Sequence, residues 1–270
     1  MPITHNIEVK HISDTAFHSI DFDIMAMAFS IQKDLGRFLN EKIYQHELAC
    51  RCKDNGYDNI ETEVPIQVSY RDFNKIYYVD LLVDNAVAYE LKAVKSLSGE
   101  HHTQTLNYLF LLGIQRGKII NMNTASVQHR FISTKITRSK RFHFSINDYA
   151  WYDLDEDSIW LKQLMIDLIN EWGTHLDFHL FYEAIYHFRG GKENVVQQIE
   201  IKHKSNVLGL QKVHLLNSEI GFRISSITKG RIFYEKDLQR FINLTSLKAI
   251  HWINFNHDRI TFKTILKATK

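Results

Sequence analysis

Between Val64 and Tyr70 apolar and polar residues alternate, with Val64, Ile66, Val68 and Tyr70 on one side, and this period of two predicts a half-buried strand. Upstream the apolar residues recur at helical spacing, predicting a helix over 22–32 and a second over 37–53, interrupted at Gly36. In the second helix Phe38, Ile43, Leu48 and Cys52 make up much of an apolar stripe, and Gly56 is its stop. Residues 1–20 are mixed and predict no element. After a turn over 71–75, two runs of β-branched and aromatic residues flank Asp84-Asn85, a dipeptide suited to a hairpin turn. Beyond Gly99 a helix is expected to about Gln115, closed by Gly117, with a strand over 118–123. Helix, three-stranded meander, helix and strand together predict an α+β layout built on one sheet.

Further along, Arg130, Lys135, Arg138, Lys140 and Arg141 alternate with Phe131, Phe142 and Phe144. Such a run is either a solvated loop or edge strand, or a surface that holds a nucleic-acid backbone. The charge then changes sign in Asp153-Leu-Asp-Glu-Asp157, which reads as the boundary between two halves, with a connecting helix over 158–172 capped by Gly173. The expected domains are 1–150 and 151–270.

The second half repeats landmarks of the first. Glu41-Lys-Ile-Tyr44 returns as Glu183-Ala-Ile-Tyr186, Ile66-Gln-Val68 as Ile199-Glu-Ile201, and Ile119-Ile-Asn-Met-Asn123 as Trp252-Ile-Asn-Phe-Asn256, all in chain order. Self-similarity in register argues for an internal duplication. Along that register Tyr89-Glu-Leu-Lys92 lands on Phe222-Arg-Ile-Ser225, and Asp80 lands near Gln211. The strands recur while the charges do not, so the fold does not need those charges.

Composition adds limits. An apolar share of 44% and a charged share of 24% are those of a globular protein with a substantial core. The net charge of +2 gives no global signal for nucleic acid or membrane, so any basic surface must be local. Cys50 and Cys52 sit two apart in a helical pattern and point to different faces, which suits neither a disulfide nor a zinc site. With no signal pattern at the N-terminus and no apolar run of membrane length, a cytoplasmic protein is expected.

The chemistry is concentrated in the hairpin. Asp80 lies on its first strand, and Glu90 and Lys92, two apart on the second, leave one face together. Charges on otherwise apolar strands cost desolvation and need a reason. A surface salt bridge on an edge strand is one reason, and a divalent-metal site with a lysine beside it is the other.

Asp80, nine intervening residues, then Glu90-Leu-Lys92, with Glu41 on the preceding helix, resembles the PD-(D/E)xK nuclease superfamily. The set Leu35-Gly36, Glu41-x-x-Tyr44, Tyr78-Val-Asp80, Tyr89-Glu-Leu-Lys-Ala93, His101 and Gln104-x-x-Asn-Tyr108 is similar, more narrowly, to small bacterial proteins named for the motif GxxExxY. Phe38 stands where that motif has its Gly, and Val79 replaces the superfamily's Pro. The resemblance implies a restriction-endonuclease-like core, duplicated here with a degenerate, non-catalytic second copy. It implies Mg²⁺ or Mn²⁺ held by Glu41, Asp80, Glu90 and the Leu91 carbonyl, with Lys92 at the scissile phosphate and Gln104 and Tyr108 positioning substrate or lysine. The partner implied is nucleic acid, DNA in the first place, contacted by Arg130, Lys135, Arg138, Lys140 and Arg141. The second half would shape the groove, bind a protein or pair with another copy. The competing class is a catalytically silent nucleic-acid-binding or assembly module that has kept the fold.

Overall fold

The strand anticipated from Val64 to Tyr70 is part of β2 in a computed structural model that describes residues 2–204 and 206–268. The chain divides into two units, Met1–Lys140 and Arg141–Lys270. The first runs β1 (Ile3–Thr4), α1 (Asp14–Leu35), α2 (Glu41–Asp54), β2 (Ile60–Tyr70), β3 (Phe73–Val83), β4 (Val87–Lys92), α3 (Gly99–Leu112), β5 (Arg116–Asn121) and β6 (Gln128–Ser133). Its six strands lie in chain order, β1 to β6. Neighbours are antiparallel except β4 and β5, which run parallel because α3 carries the chain back between them. The hairpin turn forms as anticipated: Asp84 and Asn85 both take left-handed φ of 52° and 55°, and the Ala86 N–H donates to the Val83 carbonyl.

Several boundaries differ from expectation for local reasons. Helix α1 already starts at Asp14, because Ser13 caps it by accepting from the Ala16 N–H and Phe17 opens its buried face. In α2 the buried face is Tyr44, Gln45, Leu48, Ala49 and Cys52. Phe38, 85% exposed, precedes the helix instead of packing beneath it, and Ile43 is also exposed. Helix α3 ends at Gly113, left-handed at φ 79°, and not at Gly117. Gly117 sits inside β5, where a Cβ would come within 2.7 Å of the Ala88 carbonyl oxygen on β4. Gly117→Ala should therefore wedge apart the strand pair that carries Glu90 and Lys92, at a cost of about 1–3 kcal/mol. Chemical denaturation of the two proteins checks it, and equal midpoints would refute the close packing.

The second unit runs β7 (Ser145–Ala150), α4 (Glu156–Trp172), α5 (Phe178–Phe188), α6 (Lys192–Val195), β8 (Val196–His203), β9 (Asn206–Leu215), β10 (Ile220–Ser225), α7 (Arg231–Asn243), β11 (Ala249–Asn256) and β12 (Arg259–Leu266). Strand order is β7-β12-β11-β10-β9-β8. Apart from the added edge strands β1 and β7, connectivity and strand directions match the first unit, with β10 and β11 the parallel pair around α7. Registers match too. Lys92 pairs with Asn121, and Ser225 pairs with Asn254. The Asn121 side chain bridges both backbone groups of Val94, and Asn254 bridges both of Ile227 in the same way.

Four expectations are revised. Strand β7, expected on the first-half side of the boundary, pairs with β12 of the second unit. Helix α4 is no connector: it is the counterpart of α1, and the acidic run caps it, Asp155 accepting from the Ser158 N–H and hydroxyl. The Asp80 counterpart is Val213, not Gln211. Leu81 faces Tyr89 and His214 faces Phe222, so one step on Asp80 faces Glu90 and Val213 faces Arg223. Nor does Glu183 stand where Glu41 does, since Glu41 opens α2 and Glu183 lies more than a turn into α5.

Candidate active site

Three strands and two helices of the first unit converge on the hairpin charges. Asp80, on β3, is 6% exposed; Glu90 and Lys92, on β4, are 2% and 9% exposed. Side chains this polar stay buried only where partners hold them. The Asp80 carboxylate accepts the Leu91 N–H at 2.9 Å, a backbone donor that the short β3–β4 ladder leaves unpaired. The Lys92 ammonium lies 2.6 Å from Glu90 Oε1 and 3.7 Å from Glu41 Oε1, so Glu41 on the first turn of α2 joins the site. Glu90 Oε2 is buried and, among the described residues, has no hydrogen-bond partner. On α3 the Gln104 amide donates to the Tyr108 hydroxyl at 2.9 Å, and the Tyr108 ring meets Tyr77 of β3 edge-on.

Sequence reasoning missed three members. Lys42 and Gln45 extend from α2 beside Glu41. Lys42 pairs with Glu63 and lies 3.8 Å from Asp80 Oδ1; Gln45 donates to Glu63 at 2.7 Å and to the Asp80 carbonyl. Glu63 sits in β2 with a left-handed φ of 52°, between the Thr62–Leu81 and Val64–Val79 pairs, which places it opposite Asp80. A non-glycine residue held there stores strain of about 1–3 kcal/mol. The signal available was Thr62, a polar residue where the alternation of Ile60, Val64 and Ile66 calls for an apolar one.

The electrostatics follow from burial and crowding. Burial first, then Asp80, pushes the Glu90 carboxyl up to about 8, against the pull of Lys92. Asp80 is raised as well, by burial, with Lys92 and the Leu91 N–H opposing. Burial draws Lys92 down, but Glu90, Glu41 and Asp80 outweigh it and hold the ammonium above its ordinary range. Tyr108 is raised by burial and next by Glu90, which places its hydroxyl within the field of the site. Carboxylates outnumber ammoniums here, so the pocket favours added positive charge.

The remaining candidates fall out differently. Arg130, Lys135, Arg138 and Lys140 are exposed in the first unit. Arg141 is not available to a ligand. It is 1% exposed in the second unit, its guanidinium spent on the Trp172 and Thr174 carbonyls, so its expected backbone contact is withdrawn. His101 caps α3, exchanging hydrogen bonds with Ser98.

For a divalent ion, the hard oxygens of Asp80, Glu90 and Glu41 are the right donor type, and the unpartnered Glu90 Oε2 is the atom that calls for a cation. Among the described residues no three His, Cys, Asp or Glu side chains are already drawn together at ligating distance; Lys92 lies between Glu90 and Glu41 instead. Also among the described residues, no helix is long and apolar enough to cross a membrane.

Comparison with known proteins bears on the same region. Residues 18–133 match the family model of the PD-(D/E)XK nuclease superfamily, spanning α1 to β6. No curated protein matches the chain. Among solved structures, the crystal structure of SSO0001 is similar at 18% identity over 50% of this chain and 72% of its own, with a TM-score of 0.29, too low to support a functional inference.

Proposed function

From the superfamily match of residues 18–133, we propose that the first unit is a metal-dependent nuclease that hydrolyses phosphodiester bonds, DNA foremost, in the manner of the GxxExxY proteins its motifs resemble. The observation that carries this reading is the buried trio Asp80, Glu90 and Lys92, with one Glu90 oxygen unpartnered. Such a trio is a poor way to gain stability, since desolvating the charges costs more than pairing them returns. Asp80, Glu90, the Leu91 carbonyl and Glu41 would hold Mg²⁺ or Mn²⁺, which would supply phosphate neutralisation and an acidified water. Lys92, kept protonated by its carboxylate neighbours, enters as a donor and steadies the negative charge that builds on the phosphate oxygens. Gln104 and Tyr108 orient the substrate backbone from α3, and Gln45 with Glu63 fixes the strand that carries Asp80.

Incubating supercoiled and linear DNA, and RNA of matched sequence, with Mg²⁺, Mn²⁺ or EDTA tests the reading. Cleavage dependent on the divalent ion is the expected result. A second reading, a silent nucleic-acid-binding module, is favoured by the Lys92 ammonium lying between Glu90 and Glu41; binding without cleavage under every ion would select it.

Arg130, Lys135, Arg138 and Lys140 hold the backbone on this reading. Replacing all of them by Gln should weaken DNA binding and lower the slope of log affinity against log salt by about 0.9 for each phosphate no longer neutralised. An unchanged slope would return the segment to a solvated surface.

A further inference from the structure

The second unit keeps the fold of the site and replaces its charges. By strand register Glu90 corresponds to Arg223, Lys92 to Ser225 and Asp80 to Val213. The stretch between the two paired strands has equal length in both units, so Gln104 and Tyr108 correspond to Asp237 and Phe241. The backbone N–H that Asp80 satisfies at Leu91 has a counterpart at Ile224, and there the Tyr182 hydroxyl accepts it at 2.8 Å. A phenol thus does the structural work of the lost carboxylate.

Bordering this place, and reaching its Arg223 and Ser225, lies a cavity of about 560 Å³, within the range of small-ligand sites. Its walls are aromatic. Tyr182 stacks on His214 with centroids 4.3 Å apart, and Tyr186 lies nearly parallel to the same imidazole and hydrogen-bonds it at 2.7 Å. Tyr234, on α7, hydrogen-bonds the Arg223 guanidinium and lies beneath it. Lys192 and Arg223 are the cations on the lining; among the described residues no carboxylate is on it, and Asp237 lies on the adjoining cavity that shares Arg223 and His214. The imidazole of His214 is driven down to about 4 by burial, then by Arg223 and Lys192, so at neutral pH it offers a flat uncharged face.

We propose that this cavity is a binding site for a nucleoside phosphate, its base against the Tyr182–His214–Tyr186 rings and its phosphate between Arg223 and Lys192. Rings without cations would suit any apolar ligand, and cations without rings any anion. The two together select a flat heterocycle joined to a phosphate, the combination by which single nucleotides are held on stacking platforms. Free nucleotide and a nucleotide in a strand share that chemistry. The site stands whether or not the first unit cuts, because none of its residues belongs to the Asp80–Glu90–Lys92 set.

The test is calorimetric titration of the full chain in EDTA and low salt with dAMP, with an oligothymidine ten-mer and with inorganic phosphate. Saturable binding of dAMP or the ten-mer is expected, weakened about tenfold or more by Arg223→Gln and by Lys192→Gln. Tyr186→Leu should weaken the nucleotide and leave inorganic phosphate unchanged. Binding of dAMP alone would mark a free-nucleotide site, and binding of the ten-mer alone a strand site. Lys192 is exposed on a short helix, so its variant keeps the test valid should Arg223→Gln fold poorly. Absence of saturable binding by both nucleotide probes, binding indifferent to both cation variants, or inorganic phosphate binding as tightly as dAMP would overturn the proposal.

Discussion

Replacing Lys92 with Ala should lower divalent-dependent cleavage by about 10²–10³-fold, the usual contribution of one positioned donor to developing charge, while DNA binding stays within a few-fold. The ammonium lies between Glu90 and Glu41, 2.6 Å and 3.7 Å away. Its loss therefore falls on the chemical step. Single-turnover rates at saturating DNA separate that step from binding. Truncation also removes the pull of Lys92 on Glu90, so the buried carboxyl keeps its proton to higher pH. Lys92→Met with Glu90→Gln removes both charges and keeps their volume, so it should be inactive yet at least as stable as the parent. A Lys92→Ala protein that cuts at the parental rate would end the assignment.

The hairpin was legible because its signals are local. The Asp84-Asn85 turn, the alternation around it and the spacing of Glu90 and Lys92 need no tertiary information, and strand periodicity alone puts both charges on one face. Glu63 and Gln45 were not legible. Glu63 belongs to the site because its backbone is left-handed within a strand, and Gln45 because its amide reaches the Asp80 carbonyl from α2. Neither fact is written in a residue type. Arg141 was misread for the converse reason: a basic run looks solvated in sequence, yet carbonyls at the end of α4 captured one guanidinium. The likeness of the halves showed first in their Ile-Asn strands, where the Asn121 and Asn254 side chains make matching hydrogen bonds. Its helical match misled, because Glu-x-x-Tyr recurs wherever a helix sets an acid one turn before a buried ring. We infer from the shared connectivity and register that one unit arose from the other and that the second copy carries no cleavage site of its own.

In EDTA, the protein should lose stability as pH rises from 4.5 through about 8, and Glu90→Gln should abolish most of that loss. Glu90 has an ordinary carboxyl value of 4.5 when the chain is unfolded and about 8 when folded, chiefly through burial. Between those values the native state holds a proton that the unfolded chain has released, so each step up in pH favours unfolding. The gradient is at most about 1.4 kcal/mol per pH unit for one group. Below 4.5 both states are protonated and the contribution is fully present; above about 8 both are ionised and it is fully lost. Asp80, raised in the same direction, adds a slope of the same sign that survives in Glu90→Gln. A divalent ion should reverse the trend, since it binds ionised carboxylates and competes with protons for them. Melting temperatures from pH 5 to about 9, in EDTA and in Mg²⁺, give the comparison directly. Parent and Glu90→Gln curves of equal slope in EDTA would mean that Glu90 ionises as readily in the fold as outside it. That outcome would remove the buried, unsatisfied carboxylate on which the metal site is argued.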